Sequence, residues 1–341
     1  MTVEAVLEGI PMPVMLIDND SRIKLANAAA SEMFNRNLAG ASVVSLLRQA
    51  PVLAVIDASL NAAQEGQARF LLSGLSGENT YICRANPLPD GGAMLSFEDQ
   101  TQQEDSEMMR RDFVANISHE LRTPLTSLMG FIETLQGPAR GDVDAQDRFL
   151  TIMDREAQRM NRMVSDLLSL ARVEVDERIR PRDQVDLASV LRSVVATLEG
   201  KLSDASVTVS TDALGGSFSI LGDRDQLTQL FLNLIENAIK YGGTGKTIHI
   251  GVENLDRDLA LRQPAVRVDI RDEGEGIDAI HLPRLTERFY RVDDHRSRDQ
   301  GGTGLGLAIA KHIVSRHRGR LKITSEQGVG SCFSVFFPRA E

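Results

Sequence analysis

His119 is followed at once by Glu120, and Pro124 lies one and a half helical turns further on. An imidazole beside a carboxylate can act as a nucleophile. Glu120 can orient the ring or accept its proton, which leaves the other ring nitrogen with a lone pair. His119 is two residues from both Ile117 and Leu121, a rotation of about 200° from each on a helix of 3.6 residues per turn. It is therefore expected to point away from the apolar stripe and into water. Pro124 removes the N–H that would bond the Glu120 carbonyl and is expected to kink or loosen the helix there. The string HELRT fails as a zinc-protease HExxH, because its fifth residue is Thr123.

A second group lies at Asn233, Asn237, Lys240 and Tyr241, spaced to share one helical face. Carboxamide oxygens near an ammonium suit a magnesium–triphosphate complex. The GGTGKT that follows at 242–247 ends like a P-loop, but the pattern needs Gly where Lys240 stands, so it reads as a loop. In DEGEGI at 272–277, Asp272 can accept from an exocyclic amine, and Gly274 and Gly276 let a flat base approach the backbone. Gly301, Gly302, Gly304 and Gly306 run into a helix starting near Leu305, where backbone N–H groups make an anion site. The charged run 293–300 before them reads as a lid.

These groups need elements to hold them. Phe113, Ile117, Leu121, Leu125, Leu128, Ile132 and Leu135 recur at helical spacing, and Phe149, Met153, Met160, Val164, Leu167 and Ala171 resume it after Gly137-Pro138 and Gly141. This is a helical hairpin over 108–173. It has too little core to stand alone, and pairing with a second copy gives an antiparallel four-helix bundle. Residues 1–100 alternate strand-like runs with turns and form a small α+β domain. Its runs are Val14 to Asp18, Arg22 to Leu25, Phe70 to Leu72, Thr80 to Ala85 and Ala93 to Glu98. Asn86-Pro87 and Asp90-Gly91-Gly92 are expected to break it. Residues 101–107 read as a helical connector and 174–186 as a charged linker. Residues 187–341 read as an α/β sandwich with glycine loops.

SHELRTPLT, 118–126, resembles the H-box of sensor histidine kinases, and the stretch 110–126 resembles the phosphate-regulon sensor branch in particular. NLIENAIKYG resembles the N-box of that family, DEGEGI its G1 box, and 287–311 its F-box and G2 box. The resemblance covers about 108–338. It implies that His119 takes the γ-phosphoryl group of ATP, that Glu120 assists as acid or base, and that Thr123 positions water for dephosphorylating a partner. It implies Asn237 as the Mg²⁺ ligand, with Asn233, Lys240 and Tyr241 lining the phosphates. Asp272 would accept from the adenine amine beside Gly274 and Gly276. Tyr290 and Arg291 would reach phosphates from the lid, over the loop of Gly302, Thr303, Gly304, Leu305 and Gly306. Relatives usually carry Thr at the position taken here by Cys332, so a water or hydroxyl bridge to adenine comes into doubt. The implied fold of 187–341 is the Bergerat-type sandwich.

Residues 13–34 resemble a PAS domain, so 1–100 is expected to sense or dimerise. All six histidines lie outside it, which excludes a histidine-ligated haem there, and Cys83 is not in a flavin-adduct motif. The expectation is a transmission role without a tight ligand. The full reading is a multidomain α+β sensor kinase and homodimer that passes phosphate to an aspartate on a separate response regulator. A regulator phosphatase or a non-catalytic scaffold on the same fold is the alternative.

Composition sets the remaining bounds. The 341 residues carry a net charge of −10, and residues 1–107 hold 14 acidic against 6 basic side chains, a poor basis for binding nucleic acid. Two distant cysteines make no disulfide framework or zinc pattern. No apolar run is long enough for a membrane span, and with Glu4 and Glu8 in place of a basic n-region no signal peptide is expected. The chain is expected in the cytoplasm, with any membrane attachment supplied by a partner or a missing segment.

Overall fold

The computed structural model describes residues 2–74, 77–176, 180–292 and 302–340. The chain divides into two compact units, 1–115 and 116–341.

In the first unit, strands β1 (Val14–Ile17), β2 (Ile23–Ala26), β3 (Gly66–Gly74), β4 (Gly77–Pro87) and β5 (Ala93–Asp99) form one antiparallel sheet in the order β2-β1-β5-β4-β3. Helices α1 (Val3–Glu8), α2 (Ala28–Met33), α3 (Val43–Leu46) and α4 (Ala50–Ala62) accompany it. Phe70 and Phe97 pack edge to face with centroids 5.7 Å apart, and Phe34 joins both. Buried Asn27 caps α2 by accepting from the Ala30 N–H, and its amide donates to the carbonyls of Leu7, Ile10 and Met12. One side chain thereby satisfies the turn that carries α1 into β1.

One expectation for this unit needs correction. Asn86-Pro87 is no break, since β4 runs through Pro87, which pairs with Ala93. Proline is tolerated because β3 has already ended, at Gly66 opposite Ala85, so that end of β4 is paired on one side only. Helices α3 and α4 also lie within 43–62, a stretch outside the strand-like runs. The apolar residues Val52 and Ile56 of α4 were present but fit no strand alternation.

The second unit contains the helical hairpin. Helix α5 (Thr101–Gln136) starts before the unit boundary and continues to the Gly137-Pro138 turn, and α6 (Val143–Asp176) returns. Helix α5 runs through Pro124 without interruption. The Thr123 hydroxyl donates to the His119 carbonyl at 3.2 Å, one residue before the Glu120 carbonyl that the proline leaves without its helical donor. Leu125, Met129, Ile132, Leu150, Val164 and Leu168 are exposed on this hairpin.

The rest of the unit is a layered α/β domain. Strands β7 (Thr208–Ser210), β9 (Thr247–Asp258), β10 (Gln263–Arg271), β11 (Arg320–Glu326) and β12 (Gly330–Pro338) form a sheet in the order β11-β12-β10-β9-β7. The neighbours are antiparallel except β7 with β9, which are parallel. Strand β6 (Gln184–Asp186), inside the stretch read as linker, pairs with β8 (Ser219–Leu221). Helices α7 (Leu187–Thr197), α8 (Glu199–Asp204), α9 (Arg224–Tyr241) and α10 (Gly306–Arg316) complete it. Leu227, Leu230, Phe231, Leu234 and Ile235 of α9 and Ile309 and Ile313 of α10 are fully buried, as are Val266, Val268 and Ile270 of β10. Removing such area from water contributes about 25 cal/mol per Å².

Buried His317 ties two helices together. Its Nδ1–H donates to the Ile313 carbonyl at 2.7 Å, and its Nε2 accepts from the Asp223 N–H at 3.0 Å. Asp223 caps α9, its carboxylate accepting from the Asp225 and Gln226 N–H groups. Burial pushes the His317 pKa down.

Candidate functional site

A cavity of about 570 Å³ opens beside α9. The helix is amphipathic in two senses. Its apolar side makes the core, and Gln229, Asn233, Glu236, Asn237, Lys240 and Tyr241 line the cavity. The face expected from the sequence thus exists. Asn233 is also structural: its Oδ1 accepts from Gln229 at 3.0 Å and its Nδ2 donates to the Gly306 carbonyl at 3.1 Å, linking α9 to the start of α10. Burial holds the Lys240 pKa down, opposed by the Glu236 carboxylate. A poorly hydrated ammonium of this kind gains most when an anion arrives.

Asp272 follows β10 and is only 3% exposed. Its Oδ1 accepts from the Gly274 N–H at 2.9 Å and the Ser331 N–H at 3.2 Å. Burial raises its pKa, and those two N–H groups pull the other way. Gly276 lines the cavity with φ +72°, and a Cβ there would collide with the Glu326 carbonyl. Only glycine keeps the 272–277 turn against β11. Gly274 does not line the cavity; its part is the N–H given to Asp272.

The glycine loop closes another side through Gly302, Thr303, Gly304 and Gly306. Gly304, at φ +71°, lies against the Phe289 backbone, and the Phe289 N–H donates to its carbonyl at 2.9 Å. Leu305 caps α10 and is fully buried; its N–H reaches the Thr303 hydroxyl at 3.3 Å. Tyr290 and Arg291 line the cavity beside them. The run 293–300, read as a lid, and Gly301 lie outside the described residues. Lys246 of the P-loop decoy is directed to the Glu273 carbonyl, in the turn between α9 and β9.

The hairpin contributes to this cavity, which the sequence reading missed. Arg162, Ser165 and Asp166 of α6 line it. Thr303 donates to Asp166 Oδ2 at 2.7 Å, and burial raises the Asp166 pKa, partly offset by that bond and by Lys240. Asp166 is over a hundred positions from Thr303, and no motif joins them.

His119 lies exposed on α5, as expected, and Thr123 lies one turn on. Glu120 is half-buried and engaged elsewhere. Its Oε2 accepts from Arg159 at 3.1 Å and from Arg291 at 3.3 Å, and Arg291 also donates to the Gly302 carbonyl at 2.6 Å. The Arg291 side chain is 5% exposed. A residue expected to reach phosphate is here paired with the acid beside the histidine.

The doubt attached to Cys332 is also corrected. Ser331 and Phe333 line the cavity, while the Cys332 sulfur sits 3.7 Å from the Ser334 hydroxyl, beside Asp269. Side chains alternate along a strand. The hydroxyl beside Asp272 is therefore that of Ser331, which also meets Ser325 at 3.0 Å.

Among the described residues no group of three or more His, Cys, Asp or Glu side chains could hold a metal ion, and no helix is long and apolar enough to cross a membrane.

Three family models match the chain: a PAS domain over 2–66, a His Kinase A (phospho-acceptor) domain over 109–175, and a histidine kinase-, DNA gyrase B- and HSP90-like ATPase over 222–341. The chain is 40% identical over 248 residues to the phosphate regulon sensor protein PhoR of Pseudomonas aeruginosa, covering 73% of this chain and 54% of that protein. It is 31% identical to a sensor protein kinase WalK of Staphylococcus aureus, covering 98% of this chain and 80% of that one. The chain spans about half the length of several other curated relatives it matches. The crystal structure of histidine kinase ThkA in complex with response regulator protein TrrA superposes with TM-score 0.54 at 21% identity, over 99% of both chains, a likeness of fold.

Proposed function

The chain belongs to the family of sensor histidine kinases, and from that premise we propose that it transfers the γ-phosphoryl group of ATP to His119 and then to an aspartate of a separate response regulator. The observation that carries this reading is one cavity uniting the α9 polar face, buried Asp272 and the glycine loop.

In this reading adenine sits against Asp272, whose Oδ2 accepts the exocyclic amine, with the Ser331 hydroxyl beside it. The triphosphate extends toward Lys240, Tyr290 and the N-terminus of α10, where N–H groups and the helix dipole favour an anion. Asn237 offers a carboxamide oxygen, and Mg²⁺ normally takes one or two protein oxygens, substrate phosphates and water. The ion would neutralise phosphate charge.

A ring nitrogen of His119 attacks the γ-phosphorus, the bond to the ADP oxygen breaks, and ADP leaves. Catalysis is mainly positioning and charge neutralisation. Glu120 takes the proton from the other ring nitrogen. In the arrangement seen here its Oε2 is turned to Arg159 and Arg291. Thr123, exposed one turn on, would orient water when the regulator is dephosphorylated. The exposed apolar side chains of α5 and α6 support a homodimer through 108–173. The reading places this part of the protein in the cytoplasm.

Incubation with γ-phosphate-labelled ATP and Mg²⁺ tests the proposal. Acid-labile, alkali-stable label is expected, absent in His119→Gln. Label persisting in that variant would sink the assignment.

A further inference from the structure

Tyr290 lines the cavity, yet its ring is held from the preceding turn. His281 Nδ1 lies 2.7 Å from the Tyr290 hydroxyl, with the rings 6.2 Å apart and inclined at 45°. The Arg284 guanidinium sits over the Tyr290 ring, 4.2 Å from its centroid, and also pairs with Glu287 at 3.1 Å. The backbone behind the ring is fixed too. Phe289 has φ +64°, its N–H donates to the Gly304 carbonyl, and the Tyr290 N–H reaches the Glu287 carbonyl at 3.3 Å. Both the face and the hydroxyl of Tyr290 thus have partners in 281–284, a segment that no sequence motif singled out.

The direction of the bond matters. A phenol has one proton to give, and a ring nitrogen either takes it or supplies its own. If His281 Nδ1 is bare, the Tyr290 proton points at it, and only oxygen lone pairs face the cavity. Those repel phosphate. If Nδ1 carries hydrogen, it donates to the Tyr290 oxygen and frees the Tyr290 O–H to donate elsewhere.

We propose that His281 is a positioning residue of the nucleotide site: its Nδ1–H donates to the Tyr290 hydroxyl and so turns the Tyr290 O–H toward a nucleotide phosphate. This rests on the ATP-binding reading above and adds the residue that gives Tyr290 its polarity.

The test is calorimetric titration of the full chain with a non-hydrolysable ATP analogue and Mg²⁺. The proteins are wild type, Tyr290→Phe, His281→Leu, His281→Asn and the Tyr290→Phe/His281→Leu double variant. One lost hydrogen bond corresponds to about fivefold weaker binding, expected for Tyr290→Phe and for His281→Leu. The double variant should be no weaker than Tyr290→Phe, because His281 acts only through the Tyr290 hydroxyl. His281→Asn keeps an N–H near the same place and should bind within about twofold of wild type, a rescue that a merely structural role would not produce. Unchanged binding by His281→Leu, losses that multiply in the double variant, or an Asn variant as weak as Leu would each overturn the inference while the kinase reading stands. Absence of binding by wild type overturns both.

Discussion

Both N–H groups that Asp272 accepts end on the same oxygen, Oδ1, which leaves Oδ2 for a ligand. Asp272→Asn can therefore keep the turn while replacing the acceptor by a donor. We expect nucleotide affinity to fall roughly 10- to 100-fold, the range for a hydrogen bond to a charged group. The nucleotide-free protein should melt at the same temperature or higher. Burial raises the Asp272 pKa, so the ionised carboxylate costs the folded state stability at neutral pH, and a neutral carboxamide removes that cost. Calorimetric titration with a thermal melt checks both signs; a lower Tm with unchanged affinity would make Asp272 purely structural. Asp272, Asn237 and Lys240 were legible in the sequence because each belongs to a short string whose element is also local. Ser331 was not. The string GVGSCF does not say which of two adjacent residues faces the ligand, and only the pairing of β12 with β10 and β11 sets that parity.

Helix α9 is positioned from both ends, and each end yields a prediction. At its start, His317 accepts from the Asp223 N–H and so must be neutral at Nε2. Its folded pKa is depressed. Its contribution is therefore present above the unfolded value of about 6.5 and is lost as pH falls from there through the folded pKa. Thermal melts between pH 8 and pH 5 (a range chosen to bracket about 6.5) should show Tm dropping on the acid side. His317→Gln should show a smaller drop. An equal drop would assign the pH dependence to other groups. At the far end, Lys240 and Thr303 face Asp166 from the hairpin. A carboxylate there competes with phosphate for the same donors. Asp166→Ala should bind ATP about fivefold more tightly, the value of one hydrogen bond, and weaker binding in titration would instead make Asp166 part of the site. No reading of α6 by itself could find this, since Asp166 sits in an ordinary amphipathic repeat and acquires its role from a loop far along the chain.

The hairpin as a unit leaves large apolar side chains in water, among them Leu125 at 50%, Met129 at 56% and Leu168 at 57% exposed. Burying one such side chain contributes about 1.5–3 kcal/mol, so the dimer seam proposed above would satisfy them. Ile132→Lys puts an ammonium into that seam. It should shift the protein from dimer to monomer in sedimentation at micromolar concentration while nucleotide affinity stays within about twofold, because Ile132 does not line the cavity. A variant still fully dimeric would move the interface elsewhere.

Helical periodicity, an exposed histidine beside an acid, a polar face on α9 and glycines entering α10 are properties of neighbouring residues. They are readable because their geometry repeats within a few positions. The partners of those groups are different in kind. Glu120 meets Arg159 and Arg291, Thr303 meets Asp166, and His281 meets Tyr290 across a turn. All but the last span tens of residues or more, and these are made by folding that brings separate elements together. Local chemistry follows from residue type and spacing; which side chain finally faces which depends on packing that no local pattern encodes.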